Sequence, residues 1–239
     1  MGKVQIIEDS TPPSPPSQST GRDELAYLAP MAAFLALTWV GGQWKSLYPA
    51  SYVLKTLLAA GLLWWFWGHY TKIRWTSLGW GLAIGALVVL QWVGMETLIL
   101  RAWPDYPRLA KPDVFDPFAH FSEPWQAWAF IAIRWAGASL VVPVMEELFW
   151  RDFLWRSIVR PGDFKAAPVG QWNVKAFIVV AIVFGAGVHN EWLTATVCGV
   201  IYGGLLVWTR SLGACIVAHG VTNFLLGGYV LIWRDWKFW

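Results

Sequence analysis

Charge is what this chain has least of. Only 14% of its 239 residues are Asp, Glu, Lys or Arg, while 56% are hydrophobic; soluble domains carry roughly 25% charged residues. Cysteine is almost absent. Cys198 and Cys215 are the two present, both inside apolar runs, which excludes a disulfide framework or a thiolate metal site. They read as small packing residues; a single bond between them is permitted and nothing supports it. Also missing are HExxH, a close pair of aspartates, and any Ser or Cys placed beside a base. No covalent nucleophile is indicated. The net charge of +3 is spread over loops without a basic patch, so no nucleic-acid partner is expected.

What the chain does have is long apolar runs, several near the roughly 20 residues that cross a bilayer. Among its twenty tryptophans, Trp44, Trp75, Trp103, Trp125, Trp172, Trp192, Trp208 and Trp233 flank those runs, as interfacial aromatic belts do. The pattern predicts an all-α, polytopic transmembrane helical bundle of about seven spans. The helices are expected at Leu25–Gly42, Tyr52–Gly68, Leu78–Leu100, from Trp125 onward, Val174–Val188, Leu193–Trp208 and Leu212–Trp233. Residues 1–24, with TPPSPPSQST, read as a disordered tail, and 25–239 as one membrane domain. No cleaved signal peptide is expected. The 24-residue segment Arg101–Pro124 holds five prolines, too broken for a span, and is placed at the surface or dipping into the interface. Eight Lys and Arg on the N-terminal side against six on the other favour a cytoplasmic N-terminus.

The organising stretch is Val141–Arg156, VVPVMEELFWRDFLWR. A carboxylate at membrane depth is costly and marks a candidate functional site. Glu147 and Arg151 are four apart on one helical face, placed for a charge-assisted pair. Glu146 points about 100° away and is free for another task. His189 ends the fifth helix, and His219 and Asn223 lie four apart on one face of the seventh. At 1.5 Å per residue, all five groups fit one polar layer between helices 4, 5 and 7, provided helix 4 runs on to about Val159. A break or kink near Pro143, or an interfacial start before Arg134, then absorbs the excess length. The layer is expected to open towards the cytoplasm. Glu96 and Arg134 are left as structural or substrate-gating.

These groups suit hydrolysis. A carboxylate beside a histidine can deprotonate water for attack on an amide carbonyl, and a histidine with an amide can bind the developing oxyanion. Taken singly, each has a plainer reading. The glutamates can be solvated charges at a span end, Arg151 a snorkelling cation, His189 a structural histidine, and His219–Asn223 a packing hydrogen bond.

Glu146-Glu147-x3-Arg151, a histidine ending a short helix, then His219-x3-Asn223 resembles the CPBP family of intramembrane proteases, the CAAX-prenyl-protease-like, Rce1-type or Abi proteins. The resemblance covers residues 126–233. It implies that Glu146 activates water with the help of His189, that Glu147 and Arg151 support it, and that His219 with Asn223 forms the oxyanion site. It further implies an integral protein of a bacterial inner membrane and a membrane-anchored protein or peptide as substrate. One departure concerns Phe184. The family spacing Phe-x3-His is one residue longer here, which turns the ring away from its usual position. HNEW and the ending WKFW are similar to the exosortase-associated CAAX-protease-related subgroup, which accompanies protein sorting and exopolysaccharide systems. No cofactor is expected. Two alternatives stay open: a metal protease with His189, His219 and Glu146 on zinc, and a non-catalytic scaffold or immunity partner.

Overall fold

The computed structural model describes residues 19–108 and 114–239. All regular structure among them is helical. Seven helices build the bundle: α1 (Gly21–Gln43), α2 (Tyr48–Trp65), α3 (Leu78–Ala102), α4 (Pro124–Val159), α5 (Val174–Val188), α6 (Trp192–Thr209) and α7 (Leu212–Trp233). Six are long and apolar enough to cross a membrane. The exception is α5, whose 15 residues reach about 22 Å, short of a hydrocarbon core of about 30 Å. Six spans and one part-way helix therefore replace the expected seven. Large apolar side chains face outward along the helices, Leu90 at 72% and Ile232 at 75% exposure, which suits a surface solvated by lipid.

Local chemistry sets the helix starts. Of the expected tail, residues 1–18 lie outside the described residues, and its last four form the first turn of α1. Thr20 and Asp23 close a capping box there, Asp23 N–H donating to Thr20 Oγ1 and Thr20 N–H to Asp23 Oδ2. Asn173 caps α5 and Ser211 caps α7 in the same manner.

Helix α4 does not break at Pro143. Its 36 residues stay helical but widen into π-helix at Gly137–Val141 and again at Leu148–Leu154. The proline is accommodated by changing the hydrogen-bond register before it. Val142 N–H reaches back to Gly137 O, and the partner that Ala138 O would take in that register is Pro143, which has no N–H.

Antiparallel pairs α1–α2 and α5–α6 flank a central contact of α3 with α7. Gly81 and Gly85 make that contact possible, because a Cβ on Gly85 would stand 2.5 Å from Ala218 O and one on Gly81 2.6 Å from Ala214 O. The end of the bundle that carries Gly21 is closed by polar ties. Tyr27 donates to Asp152 at 2.6 Å, Arg156 pairs with Asp152, and Lys165 Nζ donates to Asp23 at 2.6 Å.

Candidate active site

Glu146 and Glu147 sit in Val142–Glu147, the short α-helical stretch between the two π-helical ones. Such bulges re-aim side chains and recur at functional sites. The adjacent carboxylates are thereby given different surroundings. Glu147 and Arg151 are fully buried, and Glu147 Oε1 accepts from Arg151 Nη1 at 3.1 Å and from His219 Nδ1 at 2.9 Å. Since a carboxylate only accepts, Nδ1 of His219 carries its proton and Nε2 is the nitrogen left over. Arg151 lies 4.4 Å from the Phe184 ring, so the cation is also covered by an aromatic face.

Glu146 does none of this. It is 94% buried (6% exposed), lines a cavity of about 260 Å³, and its Oε2 has no partner. His189, His219, Asn223, Glu191 and Trp92 share that cavity. His189 leaves the end of α5 in extended conformation, φ −119° and ψ 135°. Its Nδ1 meets Phe184 O at 2.9 Å, which fixes the proton on Nδ1 and leaves Nε2 as an acceptor. Burial, above all, pushes its imidazole below the ordinary value of 6.5, against the opposing pull of Glu146. No hydrogen bond joins Glu146 to His189.

The extra residue between Phe184 and His189 is absorbed because the helix has already ended. Phe184 stays 99% buried (1% exposed), 4.8 Å from the His189 ring and edge-on to His219 at 6.3 Å. The ring packs within the core, and the histidine lies just past the end of the helix. Asn223 Nδ2 donates to Ala138 O at 2.8 Å, the carbonyl that Pro143 leaves without a helical donor. One amide hydrogen of Asn223 remains for the cavity.

All six expected residues thus converge, with Glu146, His189, His219 and Asn223 on the cavity and Glu147 with Arg151 behind His219. The cavity opens at the end of the bundle away from the start of α1. The cavity rim includes Val114, Asn190, Glu191, Lys237 and Phe238, all from the end of the bundle opposite Gly21. Helix α5 stops part-way and leaves its gap on that side. Among the described residues, no three of His, Cys, Asp and Glu are placed to hold a metal ion. Both cysteines are free and buried.

Two residues at the site, Trp92 and Glu191, and one buried lysine elsewhere in the bundle are given no role by the sequence. Lys55 is buried in α2, its Nζ donating to Thr38 Oγ1 at 3.0 Å and lying over the Phe34 and Tyr52 rings. A lysine inside the apolar run YVLKTLL was a readable signal. Trp92 looked like any other lipid-facing tryptophan, yet it packs edge-on to His189 at 5.5 Å. Glu191 is bound by Arg108 at 3.0 Å, and Arg108 also pairs with the fully buried Glu96. That ties the chain after α3 to the turn carrying His189, a contact across 83 residues that no local pattern announces.

The family model Rce1-like, described as type II CAAX prenyl endopeptidase, matches residues 123–225, a stretch that includes all six residues. No curated protein and no solved structure matches the chain.

Proposed function

We propose that this chain, which over residues 123–225 belongs to the Rce1-like family of type II CAAX prenyl endopeptidases, hydrolyses a peptide bond of a membrane-anchored protein with water activated by Glu146. One observation carries the reading. Glu146 is a buried carboxylate without a protein partner, on a cavity that also holds two histidines whose Nδ1 atoms are both engaged. A buried charge left unpaired is costly, and a water bound between Glu146 and the Nε2 of His189 would satisfy both.

Glu146 takes a proton from that water as its oxygen bonds to the amide carbon. The remaining Asn223 amide hydrogen, and His219 Nε2–H in the imidazolium form, face the developing oxyanion. Glu147 and Arg151 fix the His219 ring. The C–N bond then breaks and Glu146 returns its proton to the leaving amine, so no covalent enzyme intermediate forms. The HNEW turn and the Trp236–Phe238 helical turn, which carry the likeness to sorting-associated proteins, both reach this cavity through Asn190, Glu191, Lys237 and Phe238. Substrates drawn from a bacterial sorting system, a place in the inner membrane and a cytoplasmic N-terminus belong to the same proposal.

The test compares membranes containing wild type or Glu146→Gln for new peptide termini, with and without a chelator. Termini made by wild type, absent from the variant and persisting under chelation are expected. Identical profiles from two stably inserted proteins would sink the hydrolase and leave a scaffold.

A further inference from the structure

Beside the catalytic cavity lies a second one of about 150 Å³ that shares Asn223, Leu226, Phe238 and Trp239 with it and adds Arg134. Its polar chemistry is one-sided. Arg134 has five N–H donors, yet its one hydrogen bond is to the Tyr48 hydroxyl. Aromatic rings surround the guanidinium, Tyr52 at 4.5 Å and Trp239 at 5.1 Å, and cover its faces while leaving in-plane donors open. Among the described residues no carboxylate lies within ion-pair distance of it. The indole N–H of Trp239 is buried and also without an acceptor. A part-buried guanidinium and an orphaned indole donor, with no anion within ion-pair distance of the guanidinium among the described residues, make a site for an anion brought from outside.

We infer that this side cavity binds a carboxylate of the substrate chain and makes Arg134 a specificity-determining residue of the proposed hydrolysis, on which the inference rests. Position favours a substrate group over a lipid one, because the cavity shares Asn223, Leu226, Phe238 and Trp239 with the proposed site of cleavage. Arg134 precedes Glu146 by twelve residues in α4, about 17 Å at 1.5 Å per residue with some loss in the π-helical turns. An extended peptide covers that in about five residues. The carboxylate recognised is therefore an acidic side chain or chain end about five residues from the bond that is cut.

The experiment uses full-length protein carrying Glu146→Gln in zwitterionic nanodiscs. The probes are N-palmitoylated, fluorescein-labelled apolar decapeptides with one Glu walked along the chain, each with a Gln twin, and a free-carboxylate/amide pair. Anisotropy is expected to show at least one acidic peptide binding about tenfold tighter than its twin. Arg134→Gln removes the difference and Arg134→Lys keeps part of it. Equal binding of every pair, or a preference that survives Arg134→Gln, overturns the inference. So does Arg134-dependent competition by phosphatidylglycerol added to the discs, which would assign the cavity to a lipid headgroup. Cleavage of the bound peptide by protein with Glu146 intact is scored separately, so an inactive but acid-selective protein refutes the hydrolase and spares the pocket.

Discussion

Asn223 shows how tightly chemistry and backbone are joined at this site. Its amide both faces the cavity and replaces the donor that Pro143 denies to Ala138 O. Asn223→Ala is expected to lower stability by about 1 kcal/mol as well as activity, since a buried carbonyl is orphaned. In a Pro143→Ala background, the restored N–H can take that carbonyl and the stability loss shrinks. Thermal melting of the four proteins of the cycle measures this coupling, and a loss unchanged by Pro143→Ala would separate Asn223 from the carbonyl. His189 supplies a pH signature. The folded imidazole resists protonation below the ordinary 6.5, whereas the unfolded one accepts it, so folding weakens as pH falls below 6.5. The melting temperature of wild type should drop more between pH 6.5 and 5 than that of His189→Gln. At this scale the sequence was highly legible. A charged or strongly polar residue in an apolar run stands out, which made Glu146, Glu147, His219 and Asn223 visible. Partners such as Phe184 O and Ala138 O were hidden, because backbone atoms leave no trace in a residue pattern.

Among the elements, α4 departs most from what its residues suggested. A proline in a long helix argued for a break or kink there, or an interfacial start before Arg134; the helix runs unbroken through Pro143 with a change of hydrogen-bond register before it. Hydrophobic periodicity cannot distinguish the two, since both preserve the apolar face. The α3–α7 contact is the element-level feature most open to test. Gly85→Val places a branched side chain where a bare Cβ already comes within 2.5 Å of Ala218 O. Overpacking of this kind costs roughly 1–3 kcal/mol, and the strain falls on the helix segment that bears His219. Lower melting temperature together with reduced turnover is expected. Gly94→Ala, with open space around the added methyl, should alter neither.

Over the whole molecule, a long-range clamp ties the chain after α3 to the turn that carries His189. Glu96 is fully buried, Thr194 donates to it at 3.0 Å, and Arg108 joins it to Glu191 on the cavity rim. Arg108→Met leaves a buried charge alone and should destabilise by several kcal/mol. Adding Glu96→Gln removes that charge and should restore most of the melting temperature while turnover stays low, because Glu191 remains untethered. Full recovery of turnover would detach the clamp from the site. The span count exceeded the structure's by one because α5 has the hydrophobicity of a crossing helix without the length. That shortness makes the site sided. One end of the bundle is tied by Tyr27, Asp152 and Arg156, and the cavity holding Glu146, His189, His219 and Asn223 is reached from the other. In a sealed vesicle an impermeant peptide would meet the cavity in only one of the two insertions, and the piece freed from a membrane-anchored chain would leave on that same side.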